Sequence, residues 1–164
     1  MADHRPSPEA ARWFDVLGAT CAIIRERSLN MSPAERARNL GKGAGGDVTA
    51  GIDRMAEDEL LTALRRFHHD HGQRMTLLSE ELGVMEIGGG GFPMVVADPI
   101  DGSNNAKRGT PVFCTAVAVA TGPTMGDVWL GMVADHGSGE VFTAEREVGA
   151  WLNGVPLEPP KRPD

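Results

Sequence analysis

Two short acidic runs carry the chemistry this sequence offers most plainly: Ser79-Glu80-Glu81 and Asp98-Pro99-Ile100-Asp101-Gly102-Ser103. Each follows an apolar segment, Met75 to Leu78 in the first case and Met94 to Ala97 in the second. If those segments are neighbouring strands, three or four carboxylates meet at one edge of a sheet. Such a group repels itself unless a cation fills it. Hard divalent ions suit an all-oxygen set, and magnesium takes a few carboxylates, keeps several waters and adds phosphate oxygens. Pro99 fixes φ and removes a competing donor at the turn, which can direct the Ile100 carbonyl toward the same ion. Gly102-Ser103 then opens a short helical stretch whose free N–H groups suit a phosphate, and glycine lets the backbone approach closely. Metal carboxylates beside a phosphate cradle are what metal-assisted hydrolysis of a phosphate ester requires. The plainer alternatives are an Asx-type turn for Asp98 and Asp101 and a solvated pair for Glu80 and Glu81. Asp53 can equally be a carboxylate near a helix N-terminus, where negative charge is favourable.

The elements that must position these residues are two helices and then a run of strands. Ser7-Pro8-Glu9 is a helix start, with a capping hydroxyl and proline at the first helical position. Ala10, Trp13, Phe14, Leu17, Cys21 and Ile24 follow at helical spacing. Ser32-Pro33-Ala34-Glu35 repeats a capping-box pattern and opens a short helical turn. The run from Gly41 to Gly46 is too glycine-rich for regular structure and reads as a loop that brings Lys42 toward a ligand. A second helix is predicted from about Asp47 to Thr49 onward, burying Ile52, Met55, Ala56, Leu60, Ala63, Leu64 and Phe67. Asp53, Glu57, Asp58 and Arg65 are placed mostly off that face. Gly88 to Gly91 reads as a hairpin loop. Later strands fall at Phe113 to Ala120, Val128 to Ala134, Glu140 to Ala144 and around Trp151. Short turns join several of them, which favours antiparallel pairing. The fold class is therefore α+β, layered helices on a largely antiparallel sheet. Residues 1–158 read as one domain, and 159–164, with three prolines, as a linker-like tail.

Bulk composition excludes several functions. With 16 basic against 23 acidic residues the net charge is -7, which argues against a nucleic-acid backbone as the main partner. No stretch approaches the roughly 20 apolar residues of a membrane span. Cys21 and Cys114 are isolated and read as small buried hydrophobes in a reducing cytoplasm. His68-His69-Asp70-His71 ends a helix, where partly positive groups suit the dipole, and is not read as a zinc site.

The run Asp98-Pro99-Ile100-Asp101-Gly102-Ser103-Asn104-Asn105 resembles the signature of the inositol monophosphatase superfamily. Ser79-Glu80-Glu81, the segment from Asp47-Val48-Thr49 to Asp53, and Glu140 to Gly154 resemble further segments of it, in order along nearly the whole chain. Asn105 to Pro111 is similar to the archaeal and bacterial branch with combined inositol-phosphatase and fructose-1,6-bisphosphatase activity. The resemblance implies that Glu80, Asp98 and the Ile100 carbonyl hold one magnesium and that Asp98 and Asp101 hold a second. It implies that Ser103, near Asp53, orients an attacking water activated on the Glu80 side. It also implies that Asp101, Gly102 and Ser103 take the substrate, with the Gly102 and Ser103 N–H groups on its phosphate.

Two departures stand out. The family's second half, with its Trp-Asp metal ligand, is absent from this chain, and none of Trp13, Trp129 and Trp151 precedes an aspartate. Val148 occupies a turn position where the family has a small residue. The implied activity is magnesium-dependent hydrolysis of a polyol or sugar phosphate in the cytoplasm, with a small phosphate ester as partner and a homodimer as an open possibility. Fructose-1,6-bisphosphatase activity, a nucleotide 3′-phosphatase of the same superfamily, and an incomplete fragment that binds metal or a partner chain are the alternatives.

Overall fold

A computed structural model describes residues 5–46 and 48–158. Helix α1 (Pro8–Asn30) starts where the Ser7 hydroxyl accepts the Ala10 N–H, and it buries Ala10, Trp13, Leu17, Cys21 and Ile24. Helix α2 (Pro33–Arg36) is a single turn closed by the reciprocal Ser32–Glu35 capping box. Strands β1 (Asn39–Lys42) and β2 (Val48–Ala50) pair as a small antiparallel ribbon. The expected glycine loop is thus a strand through Lys42. Helix α3 (Gly51–His71) starts after β2, later than predicted, because Val48–Ala50 is held extended by this pairing. Asp47 and Pro159–Asp164 lie outside the described residues, so the expected linker-like tail does too.

The remaining strands form one sheet. They are β3 (Met75–Ser79), β4 (Gly83–Ile87), β5 (Met94–Asp101), β6 (Cys114–Ala120), β7 (Val128–Asp135), β8 (Val141–Glu145), β9 (Gly149–Leu152) and β10 (Val155–Pro156). A short helix, α4 (Ser103–Lys107), follows β5. The spatial order is β10-β9-β8-β7-β6-β5-β3-β4, antiparallel throughout except for β3 and β5, which run parallel. Strand β4 breaks the simple pattern. The chain turns back along the outside of β3 before returning to β5, so Gly88 to Gly91 crosses the end of β3 and is not a hairpin loop.

Helices α1 and α3 cover one face of the sheet. Trp13, Leu17, Leu60 and Leu64 meet Leu77, Val95, Val117, Leu130 and Met132 there in one apolar core. Alternation along each strand sends the other residues to the opposite face. Among the described residues nothing covers that face: a groove of about 650 Å³ runs across it, and Val96, Val133, Phe142 and Leu157 on its lining are between 37% and 46% exposed. The architecture is α+β, helices packed against a large, mostly antiparallel sheet, as the sequence predicts.

Candidate metal centre

Parallel pairing of β3 with β5 sets the geometry of the site. Ser79 lies opposite Ala97, so the next residues along each strand, Glu80 and Asp98, emerge side by side at one sheet edge. The Glu80 charge acts on Asp98 and helps raise its pKa. Strand β5 changes register against β6 between Asp98 and Asp101, where proline cannot donate to the ladder. It nevertheless runs on to Asp101, past the apolar segment that ends at Ala97. Asp98 Oδ1 accepts the Ile100 N–H at 3.1 Å across this bend.

Asp53, Glu57, Glu80, Glu81, Asp98, Pro99, Ile100 and Ser103 line a single cavity of about 30 Å³, enough for one or two waters or an ion. Helix α3 supplies the first two, of which only Glu57 is unexpected. Asp53 and Glu57 are 6% and 0% exposed and turn toward the strand ends beyond the limit of the apolar stripe. Asp53 Oδ2 accepts the Ala50 N–H at 3.0 Å and lies 4.0 Å from Lys107 Nζ. Burial raises its pKa, and the charges of Glu81 and Glu80 add to the effect. Thr49 donates to Glu81, and a Cβ on Gly43 would fall 1.9 Å from Glu81 Oε2, so the β1–β2 ribbon lies tight against this wall.

Asp101 and Gly102 stand outside the cavity lining. Asp101 is exposed, with Oδ2 3.9 Å from Cys114 Sγ. Gly102 has φ 90°, and a Cβ there would meet the Val112 carbonyl at 2.9 Å; both facts call for glycine. Lys42 is exposed on β1 beside a neighbouring groove that includes Thr49 and Glu81. The site thus brings Glu80, Asp98, Ile100, Asp53 and Ser103 to one cavity and leaves Asp101 at its rim.

Electrostatics at the cavity are strained. Asp98 is pushed up from 3.8 to about 6, first by burial and then by the Glu80 charge, with Asp101 adding to it. Glu57 Oε2 is buried without a hydrogen-bond partner. Among the described residues no three His, Cys, Asp or Glu side chains converge closely enough to hold an ion as they stand. The donors are carboxylate and carbonyl oxygens, the set hard cations take, and self-repulsion is what such a set suffers without one. By donor type, though not in their present spacing, the residues suit a divalent cation.

On the far side of the Asp98–Asp101 turn is a second polar group that sequence reasoning misses. The Thr115 hydroxyl donates to the Pro99 carbonyl at 2.7 Å and lies 2.8 Å from His136 Nε2. Thr115 and His136 are 0% and 1% exposed. Burial, with Arg25 adding, lowers His136 to about 4. Because the single hydroxyl proton goes to Pro99, Nε2 must carry the imidazole proton. Nothing local in the sequence marks either residue; Asp53 and Glu57, by contrast, are four apart on a helix and share a face.

Comparison with known proteins decides the family. The inositol monophosphatase family profile matches residues 16–164. The chain belongs to the inositol monophosphatase family. Within it, the chain is 33% identical over 135 residues to a fructose-1,6-bisphosphatase/inositol-1-monophosphatase of Archaeoglobus fulgidus, covering 82% of this chain and 50% of that protein. A second such protein, from Methanothermobacter thermautotrophicus, is 37% identical over 120 residues, covering 68% of this chain and 41% of the relative. Among solved structures, the extragenic suppressor protein suhB from Bartonella henselae superposes with a TM-score of 0.70 at 25% identity, covering 92% of this chain and 55% of that one. An inositol monophosphatase from Thermotoga maritima gives 0.69 at 25% identity, covering 92% and 54%. The chain spans about half the length of the curated relatives it matches. For an inositol monophosphatase family member, the cavity at the β3 and β5 ends lies on the segments that carry the family resemblance.

Proposed function

We propose that this chain carries the metal-binding part of a magnesium-dependent phosphatase acting on a small polyol or sugar phosphate. One observation carries the reading: Glu80 and Asp98 leave adjacent parallel strands and share a cavity with Asp53 and Ser103. Glu80, Asp98 and the Ile100 carbonyl are the residues that would hold magnesium, with Asp98 and Asp101 toward a second ion. When bound, magnesium supplies positive charge against the ester and lowers the pKa of water. Around it the chain does the rest. The Gly102 and Ser103 amides, at the start of α4, face the phosphate, and Ser103 with Asp53 orients the attacking water. Lys107 beside Asp53 partly offsets the rise in its pKa that burial and the neighbouring carboxylates cause. The relatives named for both activities support inositol-1-phosphate and fructose-1,6-bisphosphate as the substrates to try. The free thiols of Cys21 and Cys114 support a reducing, cytoplasmic setting; among the described residues no helix is long and apolar enough to cross a membrane.

A second reading, a fragment active only with a partner chain or a second copy, is favoured by the sheet face that no described residue covers. Exposed apolar patches of this kind mark interaction surfaces. One experiment addresses both readings: phosphate release from each ester with and without magnesium, on material sized by sedimentation. Magnesium-dependent release is expected. Its absence from chain that does bind the metal assigns the chain to the second reading, and absence of both release and metal binding would sink the first.

A further inference from the structure

Glu57 is the most deeply buried acid of the cavity, and its two oxygens differ in their partners. It sits one turn after Asp53 on α3 and is 0% exposed. Its Oε1 accepts the Ser79 hydroxyl at 2.5 Å and the Glu81 N–H at 3.1 Å, so it ties α3 to the residues on both sides of Glu80. Its Oε2 is buried, has no partner, and belongs to a side chain that lines the cavity. A buried carboxylate oxygen without a donor is costly. A tie to Ser79 and Glu81 alone does not require it, since the carbonyl oxygen of glutamine accepts the same two bonds. The second oxygen therefore points to a donor or charge that enters the cavity.

Resting on the reading of this cavity as a magnesium site, we infer that Glu57 is a positioning residue with two jobs. Oε1 fixes the strand end that aims Glu80, and Oε2 accepts a hydrogen bond from water in the cation's hydration shell. Magnesium keeps several of its waters, and acceptors that orient such a shell are worth roughly 10- to 100-fold in metal affinity. The anchoring of Oε1 holds Oε2 in place, so the acceptor is set before the ion arrives.

The test is Mn²⁺ binding, followed by electron paramagnetic resonance, to the 164-residue chain and to Glu57→Gln, Glu57→Asp and Ser79→Ala. Glu57→Gln keeps the tie and loses the acceptor. It is expected to fold with an unchanged or higher urea midpoint and to bind Mn²⁺ roughly 10- to 100-fold more weakly. Glu57→Asp, which draws the oxygens back by one methylene, should fall between it and the parent. Ser79→Ala loosens the tie and leaves the acceptor, so its affinity should stay within about threefold of the parent, well short of the loss expected at the acceptor. Parent-like affinity in Glu57→Gln overturns the inference while leaving the metal site standing; if that variant does not fold, parent-like affinity in Glu57→Asp does the same. Equal weakening in Ser79→Ala assigns the whole effect to the tie and also overturns it. No Mn²⁺ binding by the parent defeats the metal reading of the cavity itself, and this inference with it.

Discussion

The peptide from Asp98 to Asp101 is held between two polar groups of opposite character. In front, Asp53, Glu57, Glu80 and Asp98 crowd like charges into a cavity of about 30 Å³, leave Glu57 Oε2 unpartnered and push Asp98 up to about 6. Behind, Thr115 and His136 form a neutral pair that closes the Pro99 carbonyl; only His136 Nδ1 is left without a partner. The rear group spends its hydrogen bonds on holding the turn. The front group is poorly satisfied by the protein, which is the mark of side chains kept for something that binds. Substitutions in front should therefore cost function and spare the fold, and substitutions behind should do the reverse.

The largest effect is expected at Asp98. Asp98→Asn should lower magnesium-dependent phosphate release by roughly a thousandfold, since a metal contributes several kcal/mol to the transition state. The urea midpoint of the metal-free chain should hold or rise, because a repelling charge has gone. A lost midpoint with intact activity would reverse the contrast. Next comes Thr115→Val, which leaves the Pro99 carbonyl and the His136 Nε2–H unpaired. Each such loss is worth about 1–3 kcal/mol, so urea denaturation should show a drop of that order, with turnover per folded molecule changed less than about tenfold, or 1.4 kcal/mol.

The smallest effect sharpens the comparison through pH, in metal-free buffer. Asp98 is raised from 3.8 to about 6, so the folded chain binds more protons in that window. Its contribution is full below 3.8 and is lost as pH rises through 6. His136 is lowered from 6.5 to about 4, so the unfolded chain binds more protons there. Its contribution is full above 6.5 and is lost as pH falls through 4. Between pH 4 and 6 the two slopes oppose each other. Asp98→Asn should then show stability rising with pH, and His136→Gln should show it falling, by urea titration at several pH values. Parallel profiles in the two variants would remove the contrast.

Much of this arrangement is legible before folding is considered. Proline after Asp98, glycine after Asp101 and the apolar runs before each acidic stretch declare strand ends and a turn. Ser7 and Ser32 declare helix starts. What was not legible depends on tertiary context. Strand β4 carries a weak, half-exposed Gly-Val-Met-Glu-Ile pattern, and without it the parallel pairing of β3 and β5 cannot be foreseen. Glu57 falls off the predicted apolar face of α3 because a hydrophobic stripe identifies what faces the core, whereas one side of the first turns of α3 faces a polar cavity. Asp101 looks equivalent to Asp98 in sequence, yet the register shift after Asp98 separates them. Thr115 and His136 lie 21 residues apart, and only the antiparallel return of β7 along β6 brings them together.

The single parallel pair in the sheet has one more consequence. Glu80 and Asp98 are aligned only because Ser79 faces Ala97. Sliding β3 by one position would displace its end by about 3.3 Å and turn every side chain over. On the proposed function, turnover would therefore report that the two strands stop at the same rung, an alignment that spectroscopic measures of sheet content do not supply.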